Sequence, residues 1–153
     1  MEKIKTIQDV NEVLQTGGFE TTLFTNSVGV KIGTGDQTFT AVISMNNNHL
    51  LTSVEICKMG IFTEDSIPTV MAAALDANTK IVPFALAMIT SHDDPTLTDP
   101  ADYPLVLIDS IPTTDLVPAE IGDMMTSLIS AILGIRTVLS AGTINQNQQA
   151  KEA

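Results

Sequence analysis

The sequence predicts an α+β fold in which an antiparallel sheet of five or six strands packs against helices. Short segments of alternating apolar and polar residues follow one another over residues 19–57, and only turn residues separate them. Links this short join antiparallel strands, because a parallel connection needs a crossover of a dozen or more residues. Helical patterns lie before, between and after the groups of strands, so the predicted order is α-β-β-β(-β)-α-β-β-α.

The first helix is predicted over residues 6–15. Thr6 suits the N-cap position and Asp9 the matching position of a capping box, where a carboxylate also favours the helix N-terminus. Gly17 and Gly18 should end this helix, because glycine adopts the left-handed conformation at little cost. The apolar face of the helix comprises Ile7, Val10, Val13 and Leu14.

The strands that follow should each present one apolar face. Val28, Val30 and Ile32 alternate with Gly29 and Lys31, which predicts that the first three lie on the packed face of the sheet. Turn residues at 25–27, 33–36 and 46–48 separate the strands. The same alternation continues in Phe39, Ala41, Ile43 and Met45, and less cleanly in Leu50, Thr52, Val54 and Ile56.

The second half of the chain predicts a helix and two further strands. Ser66 suits the N-cap of the helix, and Pro68 fits its first turn. Strands are expected at 81–90 and 103–110, with a polar loop at 91–102 between them. The apolar face of the helix is predicted to comprise Val70, Met71, Ala74 and Leu75, with Asn78 capping the helix or bonding the next strand.

Residues 115–140 predict one long helix, capped by Thr114 or Asp115, that is more apolar than a surface helix requires. One seam consists of Ile121, Met125, Leu128, Ile132, Ile135 and Leu139. A second apolar set, displaced around the helix, consists of Met124, Ile129, Leu133 and Val138. We expect the first set to cover the sheet and the second to form the interface of a homodimer or larger oligomer. The alternative is that the helices of the same chain enclose it.

The chain is expected to form a single domain over residues 1–141. Residues 142–153 have no apolar period, and we expect them to be a disordered tail.

Composition limits the function. The net charge is −11 and the pI is about 4.2, which argues against nucleic-acid binding because phosphate neutralisation needs a basic surface. Cys57 is the single cysteine, so no internal disulfide is available and a reducing compartment is expected. The first ten residues have no apolar signal core, and no stretch reaches about 20 uncharged apolar residues. We therefore expect a cytoplasmic protein without a membrane span.

The best metal-site candidate is the loop 92–102, which contains His92, Asp93, Asp94, Asp99 and Asp102. Clustered oxygen ligands bind Ca²⁺ or Mg²⁺, but the spacing lacks the alternation of an EF-hand. A solvated loop is the better interpretation, so we predict no metal site.

Other polar residues predict no catalytic or cofactor site. Cys57 would need His49 or His92 beside it to act as a nucleophile, and a buried hydrophobic role is the simpler interpretation. The segment 33–35, Gly-Thr-Gly, lacks the lysine of a P-loop and is explained by a hairpin turn. Arg136 is the single arginine of the sequence, and one arginine does not form the anion site that phosphate chemistry needs.

Four segments carry a family resemblance: TGGFE, MAAALDAN, VPFALAMI and LVLIDSIP, in that order. With the hairpin-rich middle, they resemble the YbjN- and YjfI-like bacterial proteins, whose fold is similar to that of type III secretion chaperones. The resemblance covers most of residues 6–140. It implies a sheet packed against helices, dimerisation, and action through protein contacts rather than catalysis. The YjfI-like branch further implies a partner in a PspA-like membrane-stress system.

The leading hypothesis is therefore a non-enzymatic interaction module, chaperone-like or a stress-response regulator. One alternative is a small metal-dependent hydrolase that uses the loop 92–102. Another is a structural subunit of a larger assembly.

Overall fold

The computed structural model describes residues 3–35 and 37–145. Within them the helices are α1 (Ile7–Thr16), α2 (Ile67–Ala77), α3 (Pro118–Gly134) and the short α4 (Arg136–Ala141). The strands are β1 (Glu20–Leu23), β2 (Ser27–Thr34), β3 (Gln37–Asn46), β4 (His49–Lys58), β5 (Ala85–Met88) and β6 (Pro104–Pro112). The predicted α+β class and element order are confirmed.

The described strands form one six-stranded sheet in the order β1-β2-β3-β4-β6-β5. The first four strands form a meander of antiparallel neighbours, as the short links predict. Contacts divide the described residues into two compact units. The first comprises residues 3–54 and 108–130, and the second comprises residues 55–107 and 131–145.

In the first unit, one face of the sheet is covered and forms the core. Val28, Val30 and Ile32 are at most 3% exposed, so the predicted packed face of β2 is confirmed. Across the sheet, Val30 pairs with Ala41, and Ala41 pairs with Val54. The helix α3 lies against this inner face, where the buried Thr52 hydroxyl donates to Met124 Sδ at 3.2 Å.

The N-terminus of α1 carries the capping box that the sequence predicts. The Asp9 N–H donates to Thr6 Oγ1 at 3.2 Å, and the Thr6 N–H donates to Asp9 Oδ2 at 3.0 Å. A further bond comes from the Lys5 N–H at 2.9 Å, and these backbone bonds lower the pKa of the Asp9 carboxyl. After the helix, Gly18 takes a φ of +89°, the left-handed geometry expected at this end.

The two predicted hairpins are present. Thr34 pairs with Gln37, and Gly35 between them has a φ of +70°. Asp36 lies outside the described residues. Between β3 and β4, Asn47 and Asn48 have φ values of 50° and 63°, a pair of left-handed residues that suits a two-residue hairpin turn.

In the second unit, Asn78 joins α2 to the strand that follows. The Leu86 N–H donates to Asn78 Oδ1 at 2.7 Å, and Asn78 Nδ2 donates to the Leu86 carbonyl at 3.3 Å. The predicted bond from Asn78 to the next strand is therefore present.

Two details of α2 differ from the prediction. Ser66 precedes the helix but does not cap it with its side chain, because its hydroxyl donates to the Thr63 carbonyl at 2.9 Å. Leu75 is 72% exposed, whereas Val70, Ala74 and Ala77 are buried. The buried face thus follows the spacing i, i+4, i+7, which leaves Leu75 outside it.

The predicted strand 81–90 is shorter in the structure, where β5 spans Ala85–Met88. Pro83 has no N–H to donate to a sheet ladder, and the peptide bond before it is cis. The Phe84 N–H closes a turn onto the Ile81 carbonyl at 2.9 Å. The apolar run therefore contributes buried side chains at Ile81 and Phe84 from a turn.

The long helix begins later than predicted, and neither Thr114 nor Asp115 caps it. Asp115 has a φ of +59° and its carboxylate pairs with Lys3. The first helical turn is instead closed by Glu120, whose Oε2 accepts from the Val117 N–H at 2.9 Å. That bond reproduces one half of a capping box with Val117 at the N-cap position, three residues after Thr114 and two after Asp115.

The predicted helix 115–140 is also divided in two at Ile135, between α3 and α4. Gly134 ends α3, and glycine is among the least favourable residues for continuing a helix. A Cβ at this position would lie 3.1 Å from Ile81 Cγ2, so the glycine also allows close packing.

Together α3 and α4 form a 24-residue segment, Pro118–Ala141, that is long and apolar enough to cross a membrane by length and composition alone. Of its most apolar 18-residue window, 39% is buried within the chain. Core helices of soluble proteins meet the same criteria, so this segment is weak support for a membrane span.

The start of the predicted tail is paired with the second unit. The Thr63 N–H donates to the Thr143 carbonyl at 2.8 Å, and the Asn145 N–H donates to the Ile61 carbonyl at 2.6 Å. Gly142 lies against Val70, whose Cγ2 would be 2.6 Å from an added Cβ. Residues 142–145 are thus paired with the second unit, and 146–153 lie outside the described residues, so the predicted domain boundary stays a prediction.

Candidate interaction surface

Two of the four residues predicted to form an interface on the long helix are buried within the chain. Met124 and Val138 are 4% and 0% exposed, so neither has surface left to offer a partner. Ile129 is half-buried and Leu133 is 48% exposed. The interface remains a prediction, and Ile129 and Leu133 are its members with accessible surface.

The predicted seam of this helix is the part that packs inside the chain. Five of its six residues are at most 2% exposed: Ile121, Met125, Leu128, Ile132 and Ile135. Leu139, the sixth, is half-buried.

Ile129 faces a surface groove of about 550 Å³ in the first unit. The groove runs beside the start of β1 and the end of β2, where Lys31 Nζ and Glu20 Oε1 form an ion pair at 2.9 Å. Its lining consists of Gly18, Phe19, Glu20, Lys31, Ile32, Gly33, Thr38 and Ile129. The accessible part of Ile129 is thus set back in a groove rather than projecting from the helix.

A second apolar surface lies on the outer face of the sheet in the first unit, which we define as the face opposite Val28 and Val30. Large side chains with 58%, 45%, 39% and 40% exposure form a stripe on this face: Phe24, Val42, Leu51 and Ile108 respectively. We call this set the outer stripe.

Because Gly29 has no side chain, the Phe24 ring can lie on the outer face at one end of the outer stripe. Gly29 pairs with Val42 across β2 and β3 and has no side chain of its own. The Phe24 ring occupies that space, with Cε2 3.6 Å from the point where a Cβ of Gly29 would lie. Phe24 follows β1 but is thereby placed on the outer face beside Val42.

Sequence reasoning missed the outer stripe, although a signal was present. Val42 and Leu51 are apolar at positions where the alternation calls for polar residues. Ile108 lies within a continuous apolar run, so no alternation marked its face. Off-phase apolar residues on neighbouring strands are the pattern that would have identified the surface.

Three carboxylates of the loop 92–102 accept hydrogen bonds from residues two or three positions away in the sequence. Asp94 Oδ1 accepts from the Thr96 N–H at 3.0 Å and from the Thr96 hydroxyl at 2.7 Å, which lowers the pKa of the Asp94 carboxyl. Asp93 Oδ2 accepts from the Thr90 N–H at 3.3 Å, and Asp99 Oδ1 accepts from the Ala101 N–H at 3.0 Å. Among residues 3–35 and 37–145, no three His, Cys, Asp or Glu side chains come together to hold a metal ion.

The remaining polar candidates lie apart. His49 and Cys57 are on the same strand, eight residues apart, which places them about 26 Å from each other. His49 and Cys57 therefore do not form a common site. His49 Nδ1 is instead 3.1 Å from the Asn47 carbonyl oxygen. Arg136 is exposed at the start of α4.

Asp109 is a half-buried acid that sequence reasoning did not single out. It lies on β6 between the exposed Ile108 and the exposed Ser110. Burial raises the pKa of its carboxyl, and a bond from the Ser110 N–H at 2.8 Å opposes that change.

Comparisons with known proteins define the fold. No family model matches the sequence, and no curated protein matches it. The structure is similar to the crystal structure of YbjN from E. coli, which is described as a candidate transcription regulator. The TM-score is 0.59 at 14% sequence identity, over 90% of this chain and 91% of that chain. At this identity the likeness concerns the fold alone, and the predicted YbjN-like fold is confirmed.

Proposed function

We propose that this protein is a non-enzymatic protein-interaction module, chaperone-like or a stress-response regulator, that dimerises and binds a protein partner. The observation that carries the proposal is the group of large apolar side chains left exposed on folded elements. The four side chains of the outer stripe are between 39% and 58% exposed. Apolar surface that is grouped rather than scattered marks sites of protein association.

The charge of the chain indicates how such a module would act. With a net charge of −11, the protein would be repelled by the phosphates of nucleic acid. YbjN, which has a similar fold, is described as a candidate transcription regulator. For this chain, regulation through a protein partner in the cytoplasm fits the charge better than direct contact with DNA.

The surface we assign to a partner is the remaining accessible part of the predicted α3 interface. Ile129 lines the groove beside β2, and Leu133, four residues later in the sequence, is 48% exposed. The resemblance to YjfI-like proteins makes a PspA-like membrane-stress protein the first partner to test.

Co-purification from the native host tests the proposal. We expect tagged full-length protein to recover one specific protein reproducibly under mild conditions. Leu133→Glu should reduce that recovery, since it places a charge within the apolar contact, whereas Ser130→Glu on the same helix is the control at an exposed polar position. Recovery of the chain with no protein other than itself would count against the proposal.

Two other measurements test the alternative functions, a metal-dependent hydrolase and a structural subunit. A ligand at a hundredfold its Kd raises the free energy of unfolding by about 2.7 kcal/mol. A rise in melting temperature with Ca²⁺, Mg²⁺, Mn²⁺ or Zn²⁺ would therefore favour the metal-dependent alternative. A mass of many chains in solution would favour the structural subunit.

A further inference from the structure

We infer that the outer edge of β1 binds an extended, basic segment of a protein partner, which adds one strand to the sheet. The inference rests on the proposed function, because it states the conformation and the charge of the segment that such a partner contributes. It concerns a different surface from Ile129 and Leu133 on α3, so the two surfaces can be tested separately.

The hydrogen-bonding phase of β1 turns two of its residues away from the rest of the sheet. The Phe24 N–H donates to the Ser27 carbonyl at 2.8 Å, which makes these two a hydrogen-bonded pair beside the turn. Such pairs recur at every second residue of an antiparallel ladder, so Thr22 also turns its N–H and carbonyl toward β2. The N–H and carbonyl groups of Thr21 and Leu23 therefore point the opposite way, beyond the edge of the sheet.

No described strand covers these outward groups. β1 is a terminal strand of the sheet, with β2 as its neighbour on the other side. Among residues 3–35 and 37–145, no hydrogen bond outside the β1–β2 ladder reaches the backbone of Thr21 or Leu23. Backbone donors and acceptors in this arrangement bind an extended segment that lies alongside, the mode by which a peptide adds a strand to a sheet.

The other terminal strand, β5, shows how an edge is covered in this protein. The side-chain amide of Asn78 bonds both the N–H and the carbonyl of Leu86, at 2.7 and 3.3 Å respectively. β1 is short, but it contains neither lysine nor proline, and its register with β2 is continuous without a bulge. Lysine, proline and bulges are the devices that protect many sheet edges. Of the two terminal strands, β1 therefore has the less protected edge.

An exposed leucine at this edge indicates which side chain the segment should carry. Leu23 pairs with Val28, so the two side chains lie on the same, inner face of the sheet. Val28 is fully buried, whereas Leu23 is 43% exposed. An apolar side chain on the added strand, beside Leu23, would cover the part that the chain itself leaves exposed.

The helix over β1 argues against a second copy of this chain as the occupant. The Thr21 hydroxyl donates to Asn11 Oδ1 at 2.6 Å and accepts from Gln15 Nε2 at 3.1 Å, so α1 lies over β1. Two copies joined through their β1 edges would bring two such helices together. Because α1 contains Asp9 and Glu12 and no basic residue, like charges would oppose that contact.

The remaining charges around this edge favour a basic segment. Glu20 at the start of β1 is paired with Lys31 at 2.9 Å, and Lys5, which precedes α1, contributes to the lowered pKa of the Asp9 carboxyl. Glu12 is exposed and belongs to none of the ion pairs of the described residues, so α1 and β1 together leave a negative charge beside the edge. The net charge of −11 attracts a basic segment over a longer range.

Amide hydrogen exchange of the full chain, followed by NMR, tests the inference with a designed probe. The probe is a blocked peptide of alternating valine and threonine with a lysine at each end, about seven residues long, the length of an ordinary strand. We expect exchange of the Thr21 and Leu23 amides to slow by about tenfold or more at saturating peptide. The Thr22 amide bonds to β2 and should be protected with or without the peptide.

Two matched controls separate backbone pairing from other contacts. The same peptide, N-methylated at its central residues, cannot donate backbone hydrogen bonds and should not protect Thr21 or Leu23. Leu23→Pro removes an outward N–H, whereas Leu23→Ala removes the same side chain and keeps that N–H. We expect Leu23→Pro to bind the probe about threefold to tenfold more weakly than Leu23→Ala, as the loss of a hydrogen bond requires. If Leu23→Pro lowers the melting temperature, the N-methylated peptide makes the same test on the wild type.

Several outcomes would overturn the inference. They are unchanged exchange at Thr21 and Leu23, equal protection by the N-methylated peptide, and equally tight binding of a peptide with glutamate in place of lysine. Protection of these two amides that rises with protein concentration in the absence of peptide would assign the edge to a second copy and overturn it as well.

The inference and the proposed function fail in different experiments. A partner that is recovered from the host, with no protection of Thr21 and Leu23 by the probe, would overturn the inference and leave the proposed function standing. Protection by the probe, with no partner recovered from the host, would do the reverse.

Discussion

The two faces of the sheet in the first unit are built from the same strands, but the side chains on the inner face are buried and several on the outer face are exposed. On the inner face, Val28, Val30 and Ile43 are fully buried. On the outer face, Val42 lies one residue from Ile43 and is 45% exposed. The apolar side chain of Ile43 is therefore required for packing within the chain, whereas that of its neighbour Val42 is not.

This difference teaches how to interpret apolar residues on a strand. An inner residue contributes to the stability of the monomer, because its removal leaves a cavity. An outer residue of the same type contributes little to that stability, so an association with another protein is the better explanation for a group of them. Substitutions on the two faces should consequently change different measurable quantities.

The largest effect is expected from a charge on the inner face. Ile32→Asp would bury a carboxylate without a partner at a position that is 3% exposed. We expect the free energy of unfolding to fall by several kcal/mol, which is enough to unfold a typical domain. Thermal unfolding followed by circular dichroism measures it, and Thr40→Asp on the outer face of β3 is the control. Equal stability of the two variants would show that the inner and outer faces are wrongly assigned.

A pair of truncations on β3 sharpens the comparison at a smaller scale. Ile43→Ala should cost about 2–5 kcal/mol of unfolding free energy, because Ile43 is completely buried and leaves a cavity. Val42→Ala should stay within about 0.5 kcal/mol in the monomer, as expected for a surface position. Urea unfolding of both, at a concentration where the chain is monomeric, decides the matter. A large loss for Val42→Ala would mean that the outer face is packed within the chain.

The cap of α1 should have a moderate effect that is independent of either face. Thr6→Ala removes the hydroxyl that accepts from the Asp9 N–H, and about 1 kcal/mol of stability should be lost. Thr6→Ser keeps the hydroxyl and should be nearly neutral. Chemical denaturation distinguishes the two variants, and an equal loss in both would assign the effect to the methyl group instead.

The smallest effect concerns Asp109 and depends on pH. Burial raises its folded-state pKa above the ordinary value, so ionisation of this group destabilises the fold. Asp109→Asn should therefore be more stable than the wild type at neutral pH. The difference should shrink as pH falls through the raised pKa and vanish below the ordinary pKa of an aspartate. Melting temperatures of both proteins across this window test the sign, and a variant that is less stable at neutral pH would reverse it.

Caps, turns and strand faces could be predicted from the sequence wherever a short segment determines its own structure. The capping box of Thr6 and Asp9 and the hairpin turns at Gly35 and Asn47 involve residues a few positions apart. The packed face of β2 followed from period-2 alternation for the same reason. The candidate site was less predictable: of the four interface residues proposed on the long helix, the sequence could not distinguish Met124 and Val138, which are buried, from Leu133, which is exposed.

By itself, the sequence determined the α+β class, the order of helices and strands, and the acidic charge that argues against contact with nucleic acid. These properties depend on composition and on patterns within a few residues, which every segment carries with it. Only the tertiary structure decided where the long helix divides, that residues 142–145 pair with residues 61–63, and that Phe24 lies over Gly29 on the outer face. Each of these features depends on a contact between segments distant along the chain or on the space left where a residue has no side chain. The apolar periodicity of a single segment contains no information about such contacts.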